Sequence, residues 1–323
     1  MNARTLTTAT LFTAFAGVLT ASAADSQLLS MVMPDAKVVA GVNVDSAKAS
    51  PFGLYILTQM QSNNTDLQQL ITLTGFDPTR DVHEVLAATA ATPGSKTITG
   101  LVLARGNFDI GMITAAATLK GALTEAYNGA SILEDPKQMV GIAFLNSTLV
   151  AAGDLASVKA AIDRPSTGQT LPSGVLSQVN QWSGSQDAWI VTTVPLSAMT
   201  AGMTGGAATG NSMPNPMAGV AQQIQQMAGG VKFGNSVVGT AAIQADNAAD
   251  ATQLANTMQF LVNLLQMQAQ KDQQMANLAQ AITIGAQGTT VNLSVTLPSA
   301  QFQQLFQMEK KATVGTPNVH VKK

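Results

Sequence analysis

The stretch Met139–Arg164, MVGIAFLNSTLVAAGDLASVKAAIDR, decides how the chain is read. Two apolar runs, Met139 to Leu145 and Thr148 to Ala152, are separated only by Asn146 and Ser147, so the strands they form must fold back on each other as a hairpin. Asp154 then precedes Leu155, Val158 and Ile162, which recur at helical spacing, and its carboxylate is placed to accept the unpaired N–H groups of the first turn. Pro165 is expected to stop that helix. A cruder copy returns near the C-terminus. There Ala281 to Ala286 and Thr289 to Leu297 flank Gln287 and Gly288, and Ser299 precedes Phe302, Leu305 and Phe306 at the same helical spacing.

Working outward, a short lead from Ser26 to Met33 precedes Val38 to Val44, whose nearly continuous apolar character predicts a strand buried on both faces. Ser50-Pro51 opens a helix carrying Leu54, Ile56, Leu57 and Met60. Asn63 and Asn64 interrupt it, Leu67 to Leu73 continue it, and Gly75 ends it. Asp77 and Pro78 stand in cap and first-turn order before a strand from Val82 to Ala90. A second strand, Thr97 to Arg105, turns through Gly106 to Asp109 into a helix from Ile110 to Lys120, closed by Gly121, and a strand from Ala130 to Glu134 leads back to the hairpin. Beyond Leu171 the order repeats loosely: Asp187-Ala188-Trp189-Ile190-Val191 echoes Asp35-Ala36-Lys37-Val38-Val39, and Ser236 to Ala245 ends in a polar turn and helix as Thr97 to Arg105 does. Three correspondences in one order predict a diverged internal duplication.

The expected fold is therefore α+β: two related subdomains, residues 24–168 and 169–309, each a mainly antiparallel sheet with helices packed on it. Two segments break the parallel. Residues 197–219, rich in Gly, Ala, Thr, Met and Pro, form an aperiodic insertion. Residues 246–280 predict one long helix with a seam of Leu254, Met258, Leu261 and Leu265; it would reach about 50 Å if unbroken, although Gln268 and Asp272 fall on the seam further along. That seam is expected to cover its own sheet, with self-association through the same helix as the alternative. Residues 310–323 are expected to be a disordered tail.

A chain of 323 residues, 46% hydrophobic and 11% charged, buries a sizeable core, and a formal net charge of -2 with no basic-aromatic stretch argues against nucleic acid as a partner. Residues 1–23 carry Arg4, an apolar segment from Ala9 to Leu19 and the small-x-small triplet Ala21-Ser22-Ala23. Together they predict a secretory signal cut before Ala24 and a periplasmic or extracellular destination. With no cysteine, neither a lipid-modified N-terminal Cys nor a disulfide is available. No later run has the length of a membrane helix, so the mature chain is not expected to span a membrane.

At Pro34-Asp35-Ala36, at Gly75-Phe76-Asp77-Pro78-Thr79-Arg80-Asp81 and at Ala104-Arg105-Gly106-Asn107-Phe108-Asp109 the chain resembles members of an uncharacterised family of secreted bacterial proteins, mainly over residues 31–164. The resemblance implies an extracytoplasmic α+β protein. Its motifs are turns and caps, and it supplies no catalytic residues.

Familiar chemistry is sparse. His83-Glu84 begins the zinc-protease pattern, but Ala87 stands where the second His belongs, and the other histidine is His320 in the tail. No serine-nucleophile signature occurs, and the glycines around Gly205 lack the Lys-Ser/Thr of a phosphate loop. The acidic pairs Asp77 with Asp81 and Glu134 with Asp135 are candidates for the carboxylate pair of a hydrolase, set against capping for Asp77 and divergence of strand neighbours for Glu134 and Asp135. Met199, Met203, Met213 and Met217 form two thioether pairs in the polar insertion, which suits Cu(I), set against methionine as filler. The balance favours an exported, non-enzymatic binding or scaffold protein with no assigned catalytic residue, cofactor or metal. The surface near Asp77, Arg105 and Asp109 is where a polar pocket would revive catalysis.

Overall fold

The computed structural model describes residues 23–62, 65–91, 100–195, 224–268 and 273–304. Twelve strands form one antiparallel sheet in the order β11-β12-β10-β9-β8-β1-β2-β3-β7-β6-β5-β4. In chain order the strands are β1 Val38–Asn43, β2 Val82–Thr89, β3 Gly100–Gly106, β4 Leu123–Tyr127, β5 Ala130–Asp135, β6 Val140–Asn146 and β7 Leu149–Asp154, then β8 Ala188–Thr192, β9 Ile224–Lys232, β10 Ser236–Ala245, β11 Ile282–Gln287 and β12 Thr290–Pro298. The α+β class stands. The halves do not form separate sheets: β1 pairs β8, with Gly41 opposite Trp189, so one ladder runs through the expected boundary.

The helices are α1 Ser26–Ser30, α2 Val44–Lys48, α3 Pro51–Ser62, α4 Thr65–Thr74, α5 Pro78–Asp81, α6 Ile110–Leu119, α7 Leu155–Thr167, α8 Ser173–Ser183, α9 Ala248–Gln268 and α10 Gln273–Ala281. Side chains alternate across a strand, so cross-strand partners share a face. On the first face α1, α7 and α8 bury Leu86, Leu103, Ile132, Ala143, Ala151, Trp189 and Val191 against Leu28, Val158 and Val179. On the second face α2, α3 and α6 cover Leu133, Phe144 and Val150 at one end. There α9 covers Ile243 and Val291 at the other end. Burying one aliphatic side chain of this size contributes about 1.5–3 kcal/mol.

The caps follow the sequence. Thr79 N donates to Asp77 Oδ1 at 2.9 Å, Met112 N to Asp109 Oδ1 at 3.0 Å and Ser157 N to Asp154 Oδ1 at 2.9 Å. Three expectations change. The strand β1 is not buried on both faces: Val39 and Gly41 are covered, whereas Val42 on the opposite face is exposed. Pro165 lies inside α7, which ends at Gly168 with φ +68, because a proline in the last turn removes one N–H while glycine supplies the left-handed cap. The single helix expected over 246–280 is two, α9 and α10, with residues 269–272 outside the described set. Gln266 Nε2 donates to Ala279 O at 3.4 Å, whereas thirteen residues of straight helix span about 20 Å, so α10 packs back against α9. Residues 1–22, the insertion 197–219 and the tail 310–323 lie outside the described residues.

Candidate functional site

A cleft of about 700 Å³ lies on the second face, between α4, α6 and the β5–β6 hairpin. Its position follows from local sequence. Asp135 accepts from Lys137 N at 2.9 Å through Oδ1 and from Met139 N at 3.0 Å through its carbonyl, which holds the β5–β6 turn rigid, with Met139 at φ +57. Gly121, at φ +93, turns the chain sharply out of α6. Lys120 Nζ donates to Gln69 Oε1 at 3.4 Å, linking α6 to α4 across one end. Leu67 and Leu73 of α4, Ile113 of α6, Leu133 of β5 and Val140 and Ile142 of β6 supply an apolar lining. Leu73, Val140 and Ile142 are 49%, 40% and 42% exposed, so this apolar surface is open to solvent. The charged residues along it are Lys120 and Lys137, both exposed, together with Glu134 and Asp135.

The surface near Asp77 and Asp109 is a polar groove of about 480 Å³ lined by Arg80, Asp81, Asn107, Asp109 and Thr148. Its charges are already engaged. Arg80 Nε donates to Asp81 Oδ1 at 2.7 Å, and the guanidinium holds the Asp81 carboxyl below the usual carboxylate range while Asp81 raises Arg80. Asp81 Oδ2 accepts from Asp77 N at 2.9 Å, and Asp77 Oδ2 accepts from Gln61 Nε2 at 3.0 Å. Asp77 and Asp81 thus tie one turn together rather than face each other across a cleft. Arg105 is elsewhere, on the first face, with Nε 2.7 Å from Asp25 Oδ2. His83 Nδ1 lies 2.9 Å from Asp45 Oδ2 and Nε2 lies 3.1 Å from Asn107 Nδ2. Among the described residues no three His, Cys, Asp or Glu side chains come together as metal ligands.

Glu134 and Asp135 diverge as strand neighbours must. The carboxylate that Glu134 meets is Glu125, which sequence reasoning missed along with β4. Lys159 of α7 lies 2.6 Å from Glu125 Oε2 and 3.9 Å from Glu134 Oε1. The hydrogen bond between the two acids holds Glu134 above the usual carboxylate range and Glu125 below it, as expected when Lys159 favours ionisation of the nearer acid. Lys159 also lies 5.3 Å from the centroid of Tyr127, whose hydroxyl donates to Asp163 Oδ2 at 2.8 Å. The signal for this hairpin is Asn128-Gly129, both at positive φ, the strongest two-residue turn pair. This pair lies on the first face, beneath α7, and the cleft opens on the second.

The sequence matches no protein-family model and no curated protein. Solved structures do share the fold. Crystal form III of TP0453 superposes with a TM-score of 0.53 at 10% identity over 86% of this chain and 96% of that one. Crystal form I gives 0.51 at 10% identity over 88% and 98%. Likeness at this identity is likeness of fold alone. Among the described residues no helix is long and apolar enough to cross a membrane.

Proposed function

We propose that this chain is an exported, non-enzymatic binding protein, and that the cleft between α4, α6 and the β5–β6 hairpin holds its ligand, a small amphiphile with an apolar body and an anionic group. One observation carries the reading: half-exposed Leu73, Val140 and Ile142 line a recess of about 700 Å³ along which Lys120 and Lys137 are exposed, while the acids that also line it are engaged, Glu134 with Glu125 and Lys159 and Asp135 in the hairpin turn. An apolar lining with a few convergent polar groups is the usual chemistry of a ligand site. Titration with a fluorescent long-chain carboxylic acid tests it. Saturable binding that Ile142→Asp abolishes and that Lys120→Ala with Lys137→Ala weakens about tenfold supports the reading; binding indifferent to Ile142→Asp overturns it. A hydrolase built on a carboxylate pair gains no support from the geometry: Glu134 and Asp135 both line the cleft, but the Glu134 carboxylate meets Glu125 and Lys159 beneath α7, and Asp135 Oδ1 accepts from Lys137 N in the hairpin turn.

Export through residues 1–23 and membership of the secreted family belong to the same reading. So does the internal duplication. From the β1–β8 junction one half runs outward as β1-β2-β3-β7-β6 and the other as β8-β9-β10-β12-β11, with a helix of each half, α6 and α9, on the second face. Superposition of residues 36–154 on 188–298 checks it, and agreement confined to the terminal hairpins would end it. Self-association through α9 is a second reading, favoured by exposed Phe260, Leu264 and Met267 at helical spacing. Sedimentation showing only monomer at high concentration would remove it.

A further inference from the structure

Ala24 marks a sharp boundary. Ala23 is exposed, whereas Ala24 is only 8% exposed and its N–H donates to Ser183 Oγ of α8 at 3.0 Å. One residue on, Asp25 N donates to Glu84 Oε1 at 3.1 Å, so the Ala24 nitrogen lies within about 7 Å of that carboxylate, since adjacent backbone nitrogens are less than about 3.8 Å apart. From there the chain enters the first-face core through Leu28, Met31 and Val32. Ser183 Oγ donates to Asn180 O at 3.4 Å, which leaves its lone pairs turned to Ala24. Glu84 is a partly buried carboxylate of β2, and desolvation pushes it above the usual range. Its cross-strand partner Arg105 commits its guanidinium to Asp25 Oδ2 and Gln27 Oε1, each at 2.7 Å. Arg105 still acts on Glu84 at longer range, and a partly buried carboxylate held above its usual range gains from a further cation.

We propose that proteolytic removal of residues 1–23 turns the Ala24 nitrogen into an α-ammonium group that docks between Ser183 Oγ and the Glu84 carboxylate, making the processed N-terminus a structural cation of the fold. The proposal rests on the export reading. A signal-peptidase-class endopeptidase adds water across the Ala23–Ala24 amide; the C–N bond breaks, Ala23 keeps the new carboxylate and the Ala24 nitrogen takes up protons as an ammonium. In the uncut chain the same nitrogen is a neutral amide and supplies no charge. On the Ser183 side the seat already exists, because the nitrogen donates to Ser183 Oγ at 3.0 Å.

The test compares thermal unfolding of the chain beginning at Ala24, the same chain Nα-acetylated, and the chain beginning at Ser22, each with Glu84 and with Glu84→Gln. The free-amine chain is expected to melt at least about 2 °C above the other two, and Glu84→Gln is expected to erase that gap. The α-amino group, faced by Glu84 of β2, Asp25 at the α1 cap and Arg105 of β3, is expected to titrate above its ordinary value of about 7.7–8.0. Equal melting of the three chains, or a gap that survives Glu84→Gln, overturns the docking. N-terminal sequencing of the exported protein separates the two ideas: a start other than Ala24 overturns the processing step independently of the melting data.

Discussion

One row of cross-strand partners crosses the first face of the whole sheet, and its two ends differ. From the β4 edge it runs Glu125, Ile132, Ala143, Ala151, Leu103, Leu86 and Gly41, and it continues through the junction as Trp189, Gly230, Thr240, Ser294 and Thr283. From Ile132 to Leu86 the row is apolar because α1, α7 and α8 lie on it, and only Glu125 at the β4 edge is charged. In the C-terminal half it turns polar beyond Gly230, and the second-face partners in β12, Val291 and Leu297, are the buried ones. The two hairpins found first in the sequence show the same contrast: Leu149, Val150 and Ala151 of β7 are all buried, whereas β12 buries only Val291 and Leu297. Strand pairing alone therefore does not set how much a hairpin contributes. The number of covered faces does, since buried area scales with it.

The largest break in this comparison is a core truncation. Ile132→Ala, fully buried on β5, is expected to cost about 3 kcal/mol in denaturant unfolding, against about 1 kcal/mol for partly buried Ile284→Ala on β11. Equal losses would mean that both halves are packed alike. Next in size is the junction. A Cβ on Gly41 would lie 2.6 Å from the Trp189 ring, so Gly41→Ala is expected to cost about 2 kcal/mol and to alter the near-ultraviolet signal of Trp189. Gly239→Ala, with nothing within 4 Å of its Cβ position, is expected to stabilise by about 0.5 kcal/mol.

A smaller effect tests the α1 anchor on the covered face. Burial alone would raise Asp25, but the Arg105 ion pair and the Gln27 and Leu28 N–H donors outweigh it and hold the carboxyl below its ordinary value. Such a group adds stability above its unfolded pKa of about 3.9, and that stability is lost as pH falls through the folded value. Asp25→Ala is thus expected to cost about 1 kcal/mol at pH 7, with a gap to the parent that narrows below about pH 4 in pH-dependent melting. The smallest effect concerns the β4 edge. Glu125→Gln is expected to increase amide exchange in Leu123–Tyr127 at neutral pH by removing the ion pair to Lys159, whereas Glu134→Gln, which replaces the acid held above its usual range, should leave exchange nearly unchanged.

Much of the local structure was legible because its causes are local. Asp77, Asp109 and Asp154 cap the helices that their spacing predicts, and the two expected hairpins form with their turns one residue later than Asn146-Ser147 and Gln287-Gly288, at Ser147-Thr148 and Gly288-Thr289. The hairpin at Asn128-Gly129 carried an equally plain signal, and the carboxylate pair was missed with it. The apolar cleft was not legible, since Leu73, Ile113 and Ile142 look like ordinary core residues until α4 and α6 are placed over β6.

By itself the sequence determined the α+β class, the helix caps, the tight turns and the absence of disulfides, all set by residue type and by neighbours a few positions away. Only the tertiary structure decided that both halves share one sheet through Gly41 and Trp189, that α10 packs back against α9, and which strand faces are covered. Those outcomes depend on contacts between residues far apart in the chain, and periodicity carries no information about which distant helix will cover a given face.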